Sequence, residues 1–356
     1  MLVGGGHAHL KCLARIKIEN ASLNHSVILI SPDRYQYYSG MFSGFTEGIY
    51  SLDDIRIDLK NLAERAGITF IEEKVVNVSV YDKTLTTEDG AIVPFDVVSF
   101  DIGSNMEIPP SFAEWLMPIK PNYLFAEKII SYRKKEYPVV VGGGASGVEL
   151  ALAMTAWRNT NGYPQNVTLI TSSTPLPSSS RKATTIIRNV AASKGLRIIE
   201  GDTVKEMHGT HITTKNQVNL PHSHVLWVTG PRASGIFHDS HLPCDENGFL
   251  LVKNTLQAKG MPYIFGAGDC ITMEKHPQLP KNGVYAVRQG ELLWENITRY
   301  LKKETCRTFN PQRHFLSLIS TGNQEALFQY ANFTFHHKIA WKLKHKIDVA
   351  FMRKHQ

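Results

Sequence analysis

The chain has 356 residues, of which 42% are hydrophobic and 20% charged, and its formal net charge is +7 at pH 7. These values are typical of a soluble enzyme with two or three domains and a large core. The most apolar stretch, residues 137–157, contains three consecutive glycines and Glu149. We therefore interpret it as a strand, a turn and a helix, and not as a membrane span.

The first glycine-rich turn covers residues 4–9, between a short apolar strand at residues 1–3 and an apolar helix. Gly4 and Gly6 occupy the first two positions of a GxGxxG pattern, and His9 stands at the third. Glycines at these positions let a pyrophosphate approach the N–H groups of a helix N-terminus, where the helix dipole favours negative charge. His9 is expected to pack the helix or to contact the cofactor.

A second strand is predicted at residues 26–30. At its end stands Ser31, where a dinucleotide-binding unit often has a carboxylate that binds the ribose. Asp33, two residues later, is expected to make the ribose contact in place of that carboxylate. An Asp89-Gly90 turn then predicts a hairpin, and a returning strand at residues 95–104 ends in Gly103-Ser104.

The second glycine-rich turn matches the pattern completely. Residues 139–141 form an apolar strand, Gly142, Gly144 and Gly147 occupy all three glycine positions, and an apolar helix follows from residue 148. A single GxGxxG is weak evidence, whereas two in the same strand-turn-helix context predict two dinucleotides.

The second unit then repeats the order of the first. A strand is predicted at residues 166–170, an irregular polar stretch at 208–219 and a closing strand at 224–230, which ends in Gly230. The hydrophobic strand 263–269 returns to the first unit and ends in Gly268-Asp269. This order predicts an α/β protein with two Rossmann-like dinucleotide-binding domains, one inserted in the other. The predicted boundaries are residues 1–116 with 232–310, residues 117–231, and a C-terminal region at 311–356.

The end of the chain concentrates positive charge. Ile339, Leu343, Ile347 and Phe351 recur every four residues, which predicts a basic amphipathic helix. A membrane surface, the protein's own body or a second subunit of a homodimer could cover the apolar stripe. No aromatic-interleaved motif indicates a nucleic acid partner. The basic residues of this segment are Lys338, Lys342, Lys344, Lys346, Arg353 and Lys354.

The four cysteines are too widely spaced for a CxxC or CxxxxC motif, which is typical of reduced thiols in a cytoplasmic protein. His7, His9 and Cys12 have the residue types of metal ligands. A turn wrapped around a pyrophosphate leaves little room for tetrahedral coordination, so no metal is expected.

The two glycine turns, the strand ends at Gly103 and Gly230 and the Gly268-Asp269 pair together resemble the pyridine-nucleotide-disulfide oxidoreductase superfamily. The resemblance implies FAD at the first turn, NAD(P)H at the second and Asp269 on the ribityl chain of FAD. The residues expected to bind FAD are Gly4, Gly6, His7, Ala8, His9, Ser31, Asp33, Gly103, Gly268 and Asp269. Those expected to bind NAD(P)H are Gly142, Gly144, Ala145, Ser146, Gly147, Glu149 and Gly230.

A closer resemblance rests on further segments of the chain. With the first turn, they are similar to the flavoprotein family found fused to selenide, water dikinase, itself related to type II NADH dehydrogenases. No kinase segment follows in this chain, which leaves a link to selenium open. The segments are residues 31–34, 38–41, 226–230, 283–290 and 315–322.

The resemblance also implies the chemistry. Residues 37–44 contain no cysteine, so the disulfide relay of glutathione-reductase-like members is not expected. Hydride transfer from nicotinamide C4 to flavin N5 is expected, with Asp269 and the helix near residues 283–300 steadying the reduced flavin. Lys120, at the crossover between the domains, is a candidate catalytic residue near the flavin. Gln289 is a second candidate, near the position of the glutamines that line the quinone site of type II NADH dehydrogenases.

Two questions stay open at this point. The strand end at residues 170–173 has neither a carboxylate nor a base, and Arg181 and Lys182 follow, so both NADH and NADPH remain candidates. The acceptor is expected to be a quinone or another small molecule. The alternatives are a sulfide or selenium oxidoreductase that uses Cys244 and Cys270, and a non-catalytic flavoprotein that senses nucleotides. A cytoplasmic protein, peripheral on the inner face of the membrane, would fit the quinone hypothesis.

Overall fold

A computed structural model describes residues 1–19 and 25–356 of the chain. A mixed β-sheet with a parallel centre and a second, parallel β-sheet, each flanked by helices, are followed by a small antiparallel sheet and a C-terminal helix. The predicted α/β class with two Rossmann-like units is confirmed.

The first segment builds most of one sheet and two small hairpin sheets. Short 3₁₀ turns lie at Ser39–Met41, Asp53–Ile55 and Pro110–Trp115. In chain order its strands and helices are β1 (Leu2–Val3), α1 (His7–Glu19), β2 (Ile28–Ser31), β3 (Tyr35–Tyr37), α2 (Phe42–Glu47), β4 (Arg56–Asp58), α3 (Leu59–Ala66), β5 (Thr69–Glu72), β6 (Val75–Ser79), β7 (Thr84–Thr87), β8 (Ile92–Pro94), β9 (Val98–Phe100) and β10 (Asn105–Met106).

The second segment builds the other parallel sheet and its own excursion. Its elements are β11 (Leu116–Pro118), α4 (Asn122–Tyr132), β12 (Val139–Val141), α5 (Ala145–Thr160), β13 (Thr168–Thr171), α6 (Arg181–Lys194), β14 (Arg197–Glu200), β15 (Val204–Met207), β16 (His211–Thr214), β17 (Asn219–Pro221) and β18 (Val225–Trp227).

The third segment returns to the first sheet, and the fourth forms the C-terminal region. A 3₁₀ turn at Gly268–Cys270 follows the returning strand. The elements are β19 (Pro231–Arg232), α7 (Ile236–Asp239), β20 (Leu250–Val252), β21 (Gln257–Ala258), β22 (Met261–Gly266), β23 (Ile271–Met273) and α8 (Gly283–Leu301), then β24 (Ser317–Gly322), β25 (Glu325–Tyr330), β26 (Phe333–His337) and α9 (Lys338–His355).

The order of strands explains where the candidate residues meet. The first sheet runs β23-β20-β21-β22-β9-β1-β2-β5, and its central strands β22, β9, β1 and β2 are parallel. The second runs β11-β18-β12-β13-β14, all parallel. The carboxyl ends of adjacent parallel strands share one edge of a sheet, where α/β proteins bind their ligands. The domain boundaries themselves stay predictions.

Two parts of the chain differ from the sequence expectations. The stretch 208–219, interpreted as irregular, contains β16, which pairs with β15 and β17 in an antiparallel sheet. In β16 the more exposed residues, His211 and Thr213, alternate with the buried residues Ile212 and Thr214. Because three of these four residues are polar, the sequence did not show the alternation of apolar and polar residues that marks a strand. The sequence did not predict the antiparallel sheet of β24, β25 and β26. Residues 315–322, which contain β24, were identified only as one of the segments that carry the family resemblance.

Candidate cofactor and acceptor site

The first glycine turn is packed tightly against the end of β9. Gly4 has φ +90°, and a Cβ added to it would lie 2.4 Å from the carbonyl oxygen of Asp101. A Cβ on Gly6 would lie 2.2 Å from Asp101 Oδ1. Side chains are therefore excluded on this face of the turn, as its close packing requires.

Asp101 is a site residue that the sequence reasoning missed. Its Oδ2 accepts hydrogen bonds from the backbone N–H groups of Ala8, at 2.7 Å, and His9, at 3.0 Å. The side chain is buried, and this burial raises the pKa of the carboxyl to about 7, with the nearby carboxylate of Asp269 acting in the same direction. The available signal was a carboxylate directly after the returning strand β9, at the edge of the sheet where the first glycine turn lies.

The two histidines of the turn have structural contacts. His9 donates from Nδ1 to the Gly4 carbonyl at 2.6 Å, and its Nε2 lies 2.9 Å from the hydroxyl of Ser99. Burial lowers the pKa of His9 to about 4, so the ring is neutral and packs α1 onto the sheet. The ring of His7 lies 5.4 Å from that of Tyr38, and burial lowers its pKa to about 4 as well.

Asp269 and Lys120 meet at the carboxyl edge of the first sheet. Lys120 Nζ lies 3.4 Å from Asp269 Oδ2 and also donates to the hydroxyl of Ser104. Gly268, with φ +73°, passes so close to Asp101 that an added Cβ would lie 2.5 Å from Oδ1. The turn after β22 thus presents Asp269 beside the first glycine turn, and its role in binding FAD stays a prediction.

The remaining residues expected at FAD lie at the same edge. Ser31 ends β2 and is buried, and the carboxylate of Asp33 accepts a hydrogen bond from the N–H of Tyr35 at 2.7 Å. Burial raises the pKa of Asp33. Gly103 has φ +69° and open space beside it.

Gln289 is buried beneath the turn that carries Asp269 and lines a pocket there with Asp269, so its catalytic assignment stays a prediction. The side chain is 2% exposed, and its Oε1 accepts from the N–H of Gly268 at 2.8 Å. Its amide nitrogen lies 3.8 Å from the sulfur of Met273. Gln289 therefore holds the turn that carries Asp269, and acts as a positioning residue.

The second glycine turn is closely packed at its ends and open in its middle. A Cβ on Gly142 would lie 2.1 Å from the Val228 carbonyl, and one on Gly147 would lie 1.9 Å from the Gly142 carbonyl. Gly144 faces open space, and no side chain caps the N-terminus of α5, where Ala145 and Ser146 are exposed. This arrangement fits a pyrophosphate. Gly230 also faces open space.

Glu149 corrects another expectation, because its carboxylate points away from this turn. Its Oε1 accepts from the N–H of Ser320 on β24 at 2.7 Å. Burial raises its pKa, and Lys344 and Asp348 of α9 are its charged neighbours. Glu149 joins α5 to the C-terminal region, so a role in binding NAD(P)H is not supported by its position.

The inward face of α9 carries a buried ionic cluster that includes Glu149, and we call it the α9 cluster (Tyr38, Glu149, Lys344 and Asp348). Lys344 Nζ lies 2.8 Å from Asp348 Oδ2, and the Tyr38 hydroxyl donates to Asp348 Oδ1 at 3.0 Å. Burial raises the pKa of Asp348. Burial works against the Lys344 ammonium, but the two carboxylates outweigh it and raise its pKa. Phe351 stacks on Tyr38 with ring centroids 4.6 Å apart.

The outward face of α9 is apolar and basic. Ile339 is 63% exposed, and Leu343 and Ile347 are also exposed, so the protein's own body does not cover them. Phe351 and Lys344 are exceptions to the predicted stripe, because both belong to the inward face. Phe333 and Phe335 of β26 are further exposed aromatic residues. The exposed cations of α9 are Lys338, Lys342, Lys346, Arg353 and Lys354. No helix within residues 1–19 and 25–356 is long and apolar enough to cross a bilayer.

The cysteines are free thiols. Cys270 is buried and directs its sulfur toward the Ala267 carbonyl at 3.2 Å, and Cys12 directs its sulfur toward the Gly290 carbonyl at 3.9 Å. Burial raises the pKa of both, and also of Cys244 and Cys306. A raised pKa disfavours the thiolate, which is the nucleophile in sulfide chemistry. The described residues contain no group of three or more side chains suited to a metal.

Two parallel sheets, each with a glycine turn at a helix N-terminus, define a protein that binds two dinucleotides. Comparison with known proteins supports this class. A family model described as pyridine nucleotide-disulphide oxidoreductase matches residues 1–290. The chain belongs to this family. It is an oxidoreductase with FAD and NAD(P)H as its cofactors.

Several relatives and solved structures are similar over most of their length. The chain is 24% identical over 276 residues to ferroptosis suppressor protein 1 of Xenopus tropicalis, covering 73% of this chain and 71% of the relative. It is 22% identical over 343 residues to type II NADH:quinone oxidoreductase of Staphylococcus epidermidis, with 87% and 84% covered. The structure of NDH2 from Plasmodium falciparum in complex with NADH superposes with a TM-score of 0.84 at 14% identity, covering 99% of this chain and 96% of that one.

Proposed function

We propose that the chain carries electrons from NAD(P)H through FAD to a quinone, and that it works at a membrane surface. One observation carries the proposal: α9 joins the two places that such a reaction needs. Its inward side chains reach Tyr38 and His7 beside the first glycine turn, and its outward side chains form an exposed apolar and basic face. A lipid-soluble acceptor and the flavin site would then lie on two sides of one helix.

The first glycine turn would bind FAD and the second would bind NAD(P)H. Gly4 and Gly6 let the first turn pack against Asp101, the N-terminus of α1 would face the FAD pyrophosphate, Asp269 would hold the ribityl chain, and Lys120 keeps the Asp269 carboxylate in place. The open N-terminus of α5 at Gly144 would receive the pyrophosphate of NAD(P)H. When bound, FAD would accept a hydride from the nicotinamide and pass two electrons on.

The reduction of a quinone to a quinol also takes up two protons, which the α9 cluster is suited to handle. Burial makes the Asp348 carboxyl easier to protonate, and its oxygens connect the Tyr38 hydroxyl with the Lys344 ammonium. A chain of groups that exchange protons therefore extends from α9 to the segment beside the FAD turn. The relatives named as NADH:quinone oxidoreductases support the same acceptor class.

Membrane contact is proposed for the outward face of α9. A helix with one apolar stripe and lysines beside it binds in the plane of an anionic membrane, with its apolar side chains in the acyl boundary. Ile339, Leu343 and Ile347 form this stripe, and Phe333 and Phe335 add exposed apolar area. The predicted homodimer is a separate proposal, which sedimentation of the flavin-loaded protein would test.

The experiment is an anaerobic reaction of the purified flavoprotein, first with NADH or NADPH and then with acceptors. We expect either nucleotide to bleach the flavin, and a short-chain quinone to restore its colour within the time of turnover. A flavin that is reduced but never reoxidised by quinones would favour the nucleotide-sensing alternative. Cys244→Ala and Cys270→Ala together test the sulfur alternative, because quinone turnover that survives both changes needs no thiol.

A further inference from the structure

The two glycine turns differ in what occupies the N-terminus of the following helix. In α1, the N–H groups of Ala8 and His9 both donate to Asp101 Oδ2, and the N–H of Leu10 donates to the Gly6 carbonyl at 3.0 Å. In α5, no side chain caps the first turn. The helix that faces the FAD pyrophosphate therefore carries an acid of its own, whereas the helix that faces NAD(P)H does not.

The second oxygen of Asp101 lies close to Gly6 of the first glycine turn and to Gly268, beside Asp269. Oδ1 accepts no hydrogen bond from any residue in the ranges 1–19 and 25–356, and Asp101 as a whole is 3% exposed. Added Cβ atoms on Gly6 and Gly268 would lie 2.2 and 2.5 Å from this oxygen. Gly6 and Gly268 therefore let the Asp101 carboxyl lie against their backbones, and Oδ1 stands between the first glycine turn and the turn after β22.

The charge of this acid decides how it would meet a pyrophosphate. An ionised Asp101 would repel the phosphate charges across a buried and poorly screened space. A protonated Asp101 could donate from Oδ1 to a phosphate oxygen while Oδ2 continues to accept both backbone N–H groups. With a protonated Asp101, both carboxyl oxygens and the phosphate have hydrogen-bond partners. This arrangement requires one proton on the carboxyl.

Other titratable groups face Asp101 without replacing it in this role. Burial keeps His7 and His9 neutral near pH 7, and it raises the pKa of the Cys12 and Cys270 thiols. Asp269 disfavours a second negative charge, Lys120 is paired with Asp269, and Lys281 donates to the Ile271 carbonyl.

We propose that Asp101 is a positioning residue for FAD that binds the pyrophosphate in its protonated form, so that FAD binding takes up a proton. The proposal concerns the FAD site and does not depend on the acceptor. The buried carboxyl, with a pKa of about 7, is close to half protonated at neutral pH before FAD arrives. FAD would then raise this pKa further, because the phosphates add negative charge beside it.

The test uses apoprotein and FAD between about pH 6 and about pH 8.5. Flavin fluorescence gives the Kd, and calorimetry in buffers with different heats of ionisation gives the number of protons taken up. We expect the Kd to rise with pH by up to about tenfold per unit above pH 7, with up to about one proton bound per FAD near pH 8.

Asp101→Asn mimics the protonated carboxyl, because its amide can accept from both N–H groups and donate to a phosphate. We expect this variant to bind FAD at pH 6 as the wild type does, to bind about tenfold more tightly than the wild type at pH 8, and to take up no proton. Asp82→Asn changes an exposed carboxyl in the β6–β7 hairpin, outside both glycine turns, and should keep the proton uptake. If Asp101→Asn fails to fold, Asp101→Ser retains both a donor and an acceptor. Wild-type binding without proton uptake, or equal uptake in the Asp101 variants, overturns the proposal.

Discussion

The hydroxyl of Tyr38 donates a hydrogen bond to Asp348 Oδ1 across 3.0 Å, and so connects the segment after β3 to the last helix of the chain. The same carboxylate lies 2.8 Å from the ammonium of Lys344 through its other oxygen. Because Tyr38 also faces His7 of the first glycine turn, α9 is part of the site and more than a surface attachment.

The pair of Lys344 and Asp348 should be strongly coupled in stability. Removing one partner leaves a buried charge without compensation, so we expect Lys344→Met or Asp348→Asn to lower the free energy of unfolding by about 3 kcal/mol. The double variant Lys344→Met, Asp348→Asn should lose about 2 kcal/mol less than the sum of the single losses. Urea unfolding of the four proteins measures this cycle.

The matched control for this cycle is Lys346→Met, because Lys346 is exposed on the same helix. We expect it to change the free energy of unfolding by less than about 0.5 kcal/mol. Additive losses in the cycle would show that Lys344 and Asp348 do not interact in solution.

Membrane binding should depend on the outward face of α9. The triple variant Ile339→Ser, Leu343→Ser, Ile347→Ser removes side chains that are each worth about 1.5–3 kcal/mol when buried in an apolar phase. We expect it to stay in the supernatant after centrifugation with phosphatidylglycerol vesicles, while the wild type sediments. Turnover with ferricyanide, a soluble acceptor, should be unchanged.

The control for this prediction is Ile92→Ser, which alters an equally exposed isoleucine on β8. It should sediment with vesicles as the wild type does. Because five exposed cations flank the stripe, higher salt should weaken the wild-type association. Equal sedimentation of the triple variant and the wild type would assign the apolar face to another partner.

NAD(P)H binding should be separable from FAD binding at Gly144. This glycine has φ −69° and open space around its Cβ position, so leucine can be built there without a clash inside the chain. Gly144→Leu would fill the space predicted for the pyrophosphate, at a cost of about 1.5–3 kcal/mol, or roughly ten- to hundredfold in Kd. Anaerobic flavin reduction by NAD(P)H measures the loss, and the FAD content should stay at the wild-type level.

Gly209→Leu is the control, since Gly209 also faces open space but lies between β15 and β16, outside the glycine turns. Its NAD(P)H affinity should equal that of the wild type. If Gly144→Leu retains full affinity, the nicotinamide cofactor binds elsewhere.

The stability of the apoprotein should fall as pH rises, because of Asp101. The carboxyl has a pKa of about 7 in the folded chain and about 3.9 when unfolded, so the folded state binds more protons between these values. The free energy of unfolding therefore decreases from about pH 4 to about pH 7 through this group. Asp101→Asn should remove this part of the decrease, which urea titrations across that range would detect.

The sequence was most informative where backbone geometry demands glycine. Gly4, Gly142 and Gly147 stand where a Cβ would strike a carbonyl, and so the pattern located both turns and the strands before them. The hydrophobic strands and α9 were equally readable from periodicity. These features depend on residues that are close together in the sequence, so the amino-acid sequence shows them directly.

The rest depended on contacts between distant segments. Asp101 follows β9 and accepts a hydrogen bond from Ala8 of α1, 93 residues earlier in the chain. The carboxylate of Glu149 accepts a hydrogen bond from Ser320 of β24 and points away from the glycine turn that precedes it in sequence. Gln289 has the residue type of a quinone-site group, yet its amide is used by Gly268. Residue type alone could not reveal these partners, because each of these side chains could either bind a cofactor or acceptor or hold another segment of the chain.

The central claim is that electrons pass from NAD(P)H through the flavin to a quinone. Anaerobic stopped-flow spectroscopy of the flavin-loaded protein tests it most directly, by following the visible flavin absorbance after mixing with NAD(P)H and then with a short-chain quinone. The account predicts that the absorbance disappears with the nucleotide and returns with the quinone at a rate no slower than steady-state turnover. A flavin that stays reduced in the presence of the quinone, or is never reduced by either nucleotide, would contradict it.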